Sequence, residues 1–212
     1  MDHLSEFADH IHSDFELRTK IREQALLQAR QLTRLSALSI RATHRGENDI
    51  ALKHLEKTRS LVTQIKSDLS EHPELYFAGY TQDAIKEYVE ARITNALIHN
   101  QQIPSPDELE VAYATYLKGL SEVPGELRRR CLDILRQGYS PEAERLLACM
   151  DDIYAVLVTM DFPDAITYGL RRQTDMVRGI LERTRGDLTL SLREEQLKRS
   201  MDSLLDRLSE EE

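Results

Sequence analysis

Asp83, Glu87 and Glu90 stand at i, i+4 and i+7 in the stretch Tyr80-Thr-Gln-Asp-Ala-Ile-Lys-Glu-Tyr-Val-Glu-Ala91. That spacing stacks three carboxylates on one face of a helix. Like charges so placed repel one another by roughly a few tenths of a kcal/mol per pair, and a cation relieves the repulsion. Magnesium and manganese take hard oxygen ligands and use one or two carboxylates together with waters and phosphate oxygens. The stack therefore suits metal-assisted phosphoryl chemistry, although the same spacing is common on plain surface helices.

A second set is cationic. Arg30, Arg34, Arg41 and Arg45 fall within an arc of about 60° on a helix, and no acidic residue lies between Glu23 and Glu47. A solvated polar face is the simple reading. The functional one is contact with backbone phosphates, because uncompensated arginines in a chain of net charge −9 call for an anion. His44 is adjacent and available for a further contact. A third set, Ser121-Glu122-Val-Pro-Gly-Glu126-Leu-Arg128, carries two carboxylates four apart around Pro124-Gly125. A proline inside a helix marks either a kink, which can turn a carboxylate into a groove, or a boundary with a solvated glutamate.

Absent motifs remove several classes. No Glu-x-x-His di-iron pattern, His-Glu-x-x-His, Gly-x-Ser-x-Gly, phosphate-binding Gly-x-x-x-x-Gly-Lys or Gly-x-Gly-x-x-Gly occurs. Cys131 and Cys149 are isolated, without the partners a zinc site needs, and read as small core residues in a reducing cytoplasm. No run of about 18 apolar residues exists, and the acidic first 15 residues do not resemble a secretion signal, so neither a membrane span nor export is expected. With 28 Lys+Arg against 37 Asp+Glu, a basic surface must be local or enclosed.

The elements that must position these residues are helical. Ala, Leu, Glu, Arg and Gln dominate, no hairpin signal appears, and glycine and proline punctuate long apolar-periodic stretches. An all-α single domain over 1–212 is expected, with frayed ends at 1–14 and 205–212. The punctuation predicts seven helices at 3–45, 48–71, 80–101, 106–137 with a kink near Pro124, 141–160, 163–185 and 189–209. Ser105-Pro106-Asp107-Glu108 carries both a capping-box pair and a first-turn proline. The first helix, about 60 Å long at 1.5 Å per residue, exceeds what a small domain needs and predicts oligomerisation.

Glu87-Tyr-Val-Glu-Ala91, the segment Gly119-Leu-Ser-Glu-Val-Pro-Gly-Glu-Leu-Arg128, and Asp161-Phe-Pro-Asp-Ala-Ile-Thr-Tyr-Gly-Leu-Arg-Arg-Gln-Thr-Asp-Met-Val-Arg178 resemble the translin superfamily, specifically its translin-associated factor X (Trax-like) branch. Lys20-Ile-Arg-Glu-Gln-Ala-Leu through Thr43-His-Arg45 resembles that family's first long helix, and the resemblance runs in register over about residues 15–190. It implies a seven-helix subunit that assembles into hollow hexameric or octameric homo-oligomers around single-stranded RNA or DNA. For the Trax-like branch it further implies a magnesium- or manganese-dependent endoribonuclease. Two glutamates of that site match Glu87 and Glu90; the third position, aspartate in the branch, is Glu122 here, one methylene longer. Phosphate contacts would fall to Arg30, Arg34, Arg41 and Arg45 in the cavity. The competing readings are a translin-like barrel that binds single strands without cutting them, and a purely structural helical scaffold.

Overall fold

The computed structural model describes residues 2–210. Every regular element among the described residues is an α-helix: α1 (Asp2–His44), α2 (Asn48–Asp68), α3 (Pro73–Tyr76), α4 (Gly79–Ile98), α5 (Pro106–Leu109), α6 (Tyr113–Leu135), α7 (Pro141–Val158), α8 (Asp164–Thr167) and α9 (Leu170–Glu210). The all-α expectation holds. By its contacts the chain divides into two compact units, residues 1–92 with 105–115, and residues 93–104 with 116–212.

In the first unit α1 packs on α2 through small residues. Ala25, Ala29, Ser36, Ser39 and Ala42 of α1 are buried, and Ser39 Oγ donates to the Ala51 carbonyl of α2 at 3.3 Å. Small side chains let the two backbones approach, and Leu32 and Ile40 of α1 are buried as well, Ile40 in one cluster with Leu55 of α2. The reversal between the helices turns at Gly46, whose φ of 71° is open to glycine at little cost. α4 buries Ala84, Ile85, Tyr88, Val89 and Ala91. Its first turn is tied to α3 by Thr81 Oγ1 and Gln82 Nε2, which donate to the carbonyls of Leu75 and Tyr76 at 2.8 Å each.

In the second unit α7 packs on α9, with Leu146, Met150, Ile153 and Leu157 buried on the former and Leu170, Val177, Leu181 and Leu188 on the latter. Two arginines stitch the helices. Arg128 of α6 reaches Thr184 Oγ1 at 3.1 Å and Asp187 Oδ2 at 2.8 Å on α9. Arg145 of α7 grips Glu142 through Nε and Nη2 at 2.8 and 2.6 Å and donates to the Leu97 carbonyl at the end of α4 at 2.8 Å.

Three expected boundaries move. The stretch 106–137 is two helices: the Ser105–Glu108 capping box starts α5 as the sequence indicates, but Glu110 adopts a left-handed conformation with φ 55° and ends it after one turn. α6 then runs without a break through Pro124. The stretches 163–185 and 189–209 are the one-turn α8, closed by Tyr168 at φ 52° and Gly169 at φ 84°, followed by the single 41-residue helix α9. Gly186 does not interrupt α9. Its cost of roughly 1 kcal/mol relative to alanine is small beside the packing of Leu181 and Leu188 on either side.

Both long helices carry exposed apolar stripes. Every residue from His3 to Lys20 is exposed, including Leu4, Phe7, Ile11 and Phe15 at spacings of three and four. On α9, Leu197, Met201, Leu204 and Leu208 are at least 56% exposed and repeat the same spacing. Of the two cysteines, Cys131 is buried as expected, whereas Cys149 is half-buried with Arg145 Nη1 3.8 Å from its sulfur.

Arg128→Ala removes both anchors of α6 on α9; a loss of roughly 1–3 kcal/mol in urea unfolding is expected for this partly exposed pair, and a change below about 0.5 kcal/mol would contradict the stitching role. Burial pushes the Cys131 thiol up to about 11, so its reactive thiolate is scarce at pH 8. Iodoacetamide at that pH should leave Cys131 unlabelled until the protein is denatured; native labelling at the rate of a free thiol would contradict its burial.

Candidate metal centre

α4 is held by its apolar faces, and Glu87 and Glu90, three residues apart, project from one side of it. Glu90 is 8% exposed and Glu87 half-buried. Glu122 lies on α6, where Leu120, Val123 and Leu127 are buried. One oxygen from each of Glu87, Glu90 and Glu122 lies within 4.8 Å of the other two. The set matches the ligand trio that the family resemblance implies. Spacing along one helix had stacked Asp83 with Glu87 and Glu90 instead; Asp83 is exposed and outside the trio. Glu126, one turn beyond Glu122, pairs with Arg129 at 3.6 Å.

Three hard oxygen donors at this separation fit magnesium or manganese. Neighbouring ligands of an octahedral magnesium ion are about 2.9 Å apart and opposite ones about 4.1 Å, so the three oxygens must draw together to share one ion. Sulfur or imidazole ligands, which would favour zinc, do not belong to the trio. A residue that sequence reasoning passed over stands beside it: Lys86 Nζ is 3.1 Å from Glu87 Oε1, with 14% of the lysine side chain exposed.

Arg30, Arg34 and Arg41 are exposed along α1, and Arg45 is exposed in the turn just past its end. Next to this stripe, a groove between α1 and α2 is lined by Gln31, Leu35, Lys53, Lys57, Ser60 and Gln64, with Glu56 among them. Lys53 and Lys57 thus widen the basic surface. Their i, i+4 spacing is visible in the sequence, where the intervening Glu56 hides it as a basic feature. The local positive potential is felt by His54, whose pKa is lowered first by burial and then by Lys57 and Lys53. His44 is half-buried at the end of α1.

Crowding three carboxylates leaves repulsion that a neutral isostere relieves. Glu90→Gln should raise stability in EDTA by roughly 0.5–1 kcal/mol in thermal or urea unfolding; a clear loss would mean that the ionised Glu90 stabilises the metal-free fold.

No family model matches the chain. It is 32% identical over 197 residues to the uncharacterized protein MJ0175 of Methanocaldococcus jannaschii, covering 92% of this chain and 86% of that protein. Among solved structures it is similar to AfC3PO, both alone and in complex with duplex RNA, at 33% identity and a TM-score of 0.78, over 86% of this chain and 95% of that one. The structure of apo-NeC3PO, 22% identical with a TM-score of 0.79 over 86% of this chain and 96% of its own, shares the fold. With a third of its residues identical to AfC3PO across nearly that protein's whole length, and the same all-helical architecture, the chain belongs to the translin superfamily of C3PO-type proteins.

Proposed function

We propose that the protein is a magnesium- or manganese-dependent endoribonuclease of the Trax-like branch, acting on single-stranded RNA enclosed by a homo-oligomer of six or eight subunits. The observation that carries this reading is the meeting of Glu87, Glu90 and Glu122 within 4.8 Å. Kinship with AfC3PO, solved in complex with duplex RNA, supports RNA as the ligand. The exposed apolar stripes on α1 and α9 support assembly, since patches of that extent are ordinarily covered.

Glu87, Glu90 and Glu122 would hold the ion, with Glu122 supplying the same ligand oxygens as aspartate on a longer arm. When bound, such an ion polarises a phosphodiester, lowers the pKa of a water and steadies the leaving oxygen. Hydrolysis forms a bond from a water oxygen to phosphorus and breaks the bond to the leaving ribose oxygen; the water gives up a proton, and the leaving oxygen gains one. A carboxylate of the trio would accept the first proton, and solvent would return the second.

Arg30, Arg34, Arg41 and Arg45, joined by Lys53 and Lys57, would hold backbone phosphates. Contacts of this kind give affinity without reading sequence. Flexible single strands can thread a closed cavity and lie along the basic surface, which favours them over a stiff duplex. Enclosure also reconciles a basic lining with the net charge of −9, the acidic excess lying outside.

The test is incubation of the pure protein with end-labelled RNA, single-stranded and duplex, in magnesium. Cleavage of the single strand is expected, abolished by EDTA and reduced at least about a hundredfold in Glu87→Ala and Glu90→Ala. Cleavage that survives these changes would mark a contaminant. Binding without cleavage in either metal would leave a non-catalytic barrel, and faster duplex cleavage would overturn the strand preference. Arg30→Ala with Arg34→Ala should lower the dependence of log affinity on log salt by about 1–2; an unchanged slope would remove the stripe from the interface.

A further inference from the structure

Lys86 is poorly exposed for a lysine, and its ammonium lies against Glu87 at 3.1 Å. Holding a long charged side chain out of water and in one geometry is unfavourable unless negative charge compensates it. Glu87, a member of the trio, supplies such charge. Three carboxylates in so small a space carry three negative charges, and one divalent ion cancels two of them. The remaining charge would repel the phosphodiester that must approach. Lys86 supplies the missing positive charge, so that one ion together with the lysine leaves the site neutral. Two ions would leave it strongly positive.

We propose that Lys86 is the second cation of the site, sharing the charge of the carboxylates with a single divalent ion and offsetting the negative charge that accumulates on the phosphate oxygens as the bond to the leaving oxygen breaks. This role rests on the nuclease reading given above. It differs from mere orientation of Glu87 in the sign of one measurable quantity. A lysine that only orients a ligand loosens the ion when it is removed. A lysine that competes for the same negative charge tightens it.

The experiment is calorimetric titration of Mn²⁺ into the full-length wild-type protein, Lys86→Gln and Lys86→Arg, followed by single-stranded RNA cleavage at saturating Mn²⁺. One ion per chain is expected for the wild type, with affinity several-fold tighter in Lys86→Gln while kcat falls at least about tenfold, and with Lys86→Arg close to wild type in both. Lys86→Met, which keeps the packing of the stem, repeats the comparison should the glutamine variant fold poorly. Weaker or unchanged Mn²⁺ binding in these neutral variants, two ions per wild-type chain, or an unchanged kcat would overturn the role of Lys86 and leave the nuclease standing. A wild type that binds no Mn²⁺ removes the site and this role with it. A wild type that binds Mn²⁺ without cutting RNA ends the nuclease reading and with it the role of Lys86 at the phosphate, while the sign of the affinity change still decides whether Lys86 shares the charge of the carboxylates.

Discussion

The crowding of three carboxylates, Glu87, Glu90 and Glu122, is the constraint on which the proposed chemistry depends. Carboxylates do not gather unless the backbone forces them together and a positive charge makes the gathering tolerable. The backbone does its part through buried faces. α4 buries Tyr88 and Val89 beside its two glutamates, and α6 buries Val123 beside its own. Lys86 contributes one positive charge, and a divalent ion is the natural source of the rest.

The long helices serve this arrangement at a distance. Arg128 fixes α6 against α9, and Arg145 ties α7 to the end of α4, so the two helices that carry the trio are each braced by a charged contact. Outside the braced region, α1 and α9 extend past the packed cores, with apolar residues at seam spacing left in solvent. In the proposed function, assembly through these stripes brings the basic surface of α1 and α2 to line a cavity.

Legibility of these features in the sequence followed from their range. Cap chemistry at Ser105–Glu108 acts over three residues and marks a helix start correctly. Punctuation by glycine was less faithful, because Gly186 sits in a helix whose packing outweighs its local preference, while a non-glycine residue, Glu110, takes the left-handed turn that ends α5. Helical periodicity could stack Asp83 with Glu87 and Glu90, but it could not bring in Glu122, since the approach of two helices 30-odd residues apart is a tertiary fact. Glu122 was reached only through family resemblance. Lys86 was overlooked although it adjoins Glu87 in the chain, because its significance lies in how little of it solvent reaches.

The most direct measurement of the central claim is anomalous diffraction from crystals of the full-length protein grown with Mn²⁺ and collected at the manganese edge. One peak per chain, within coordination distance of an oxygen from each of Glu87, Glu90 and Glu122, is the expected result. Well-ordered crystals with no peak among these three side chains at saturating Mn²⁺, or with the ion held elsewhere while the trio stays bare, would contradict it.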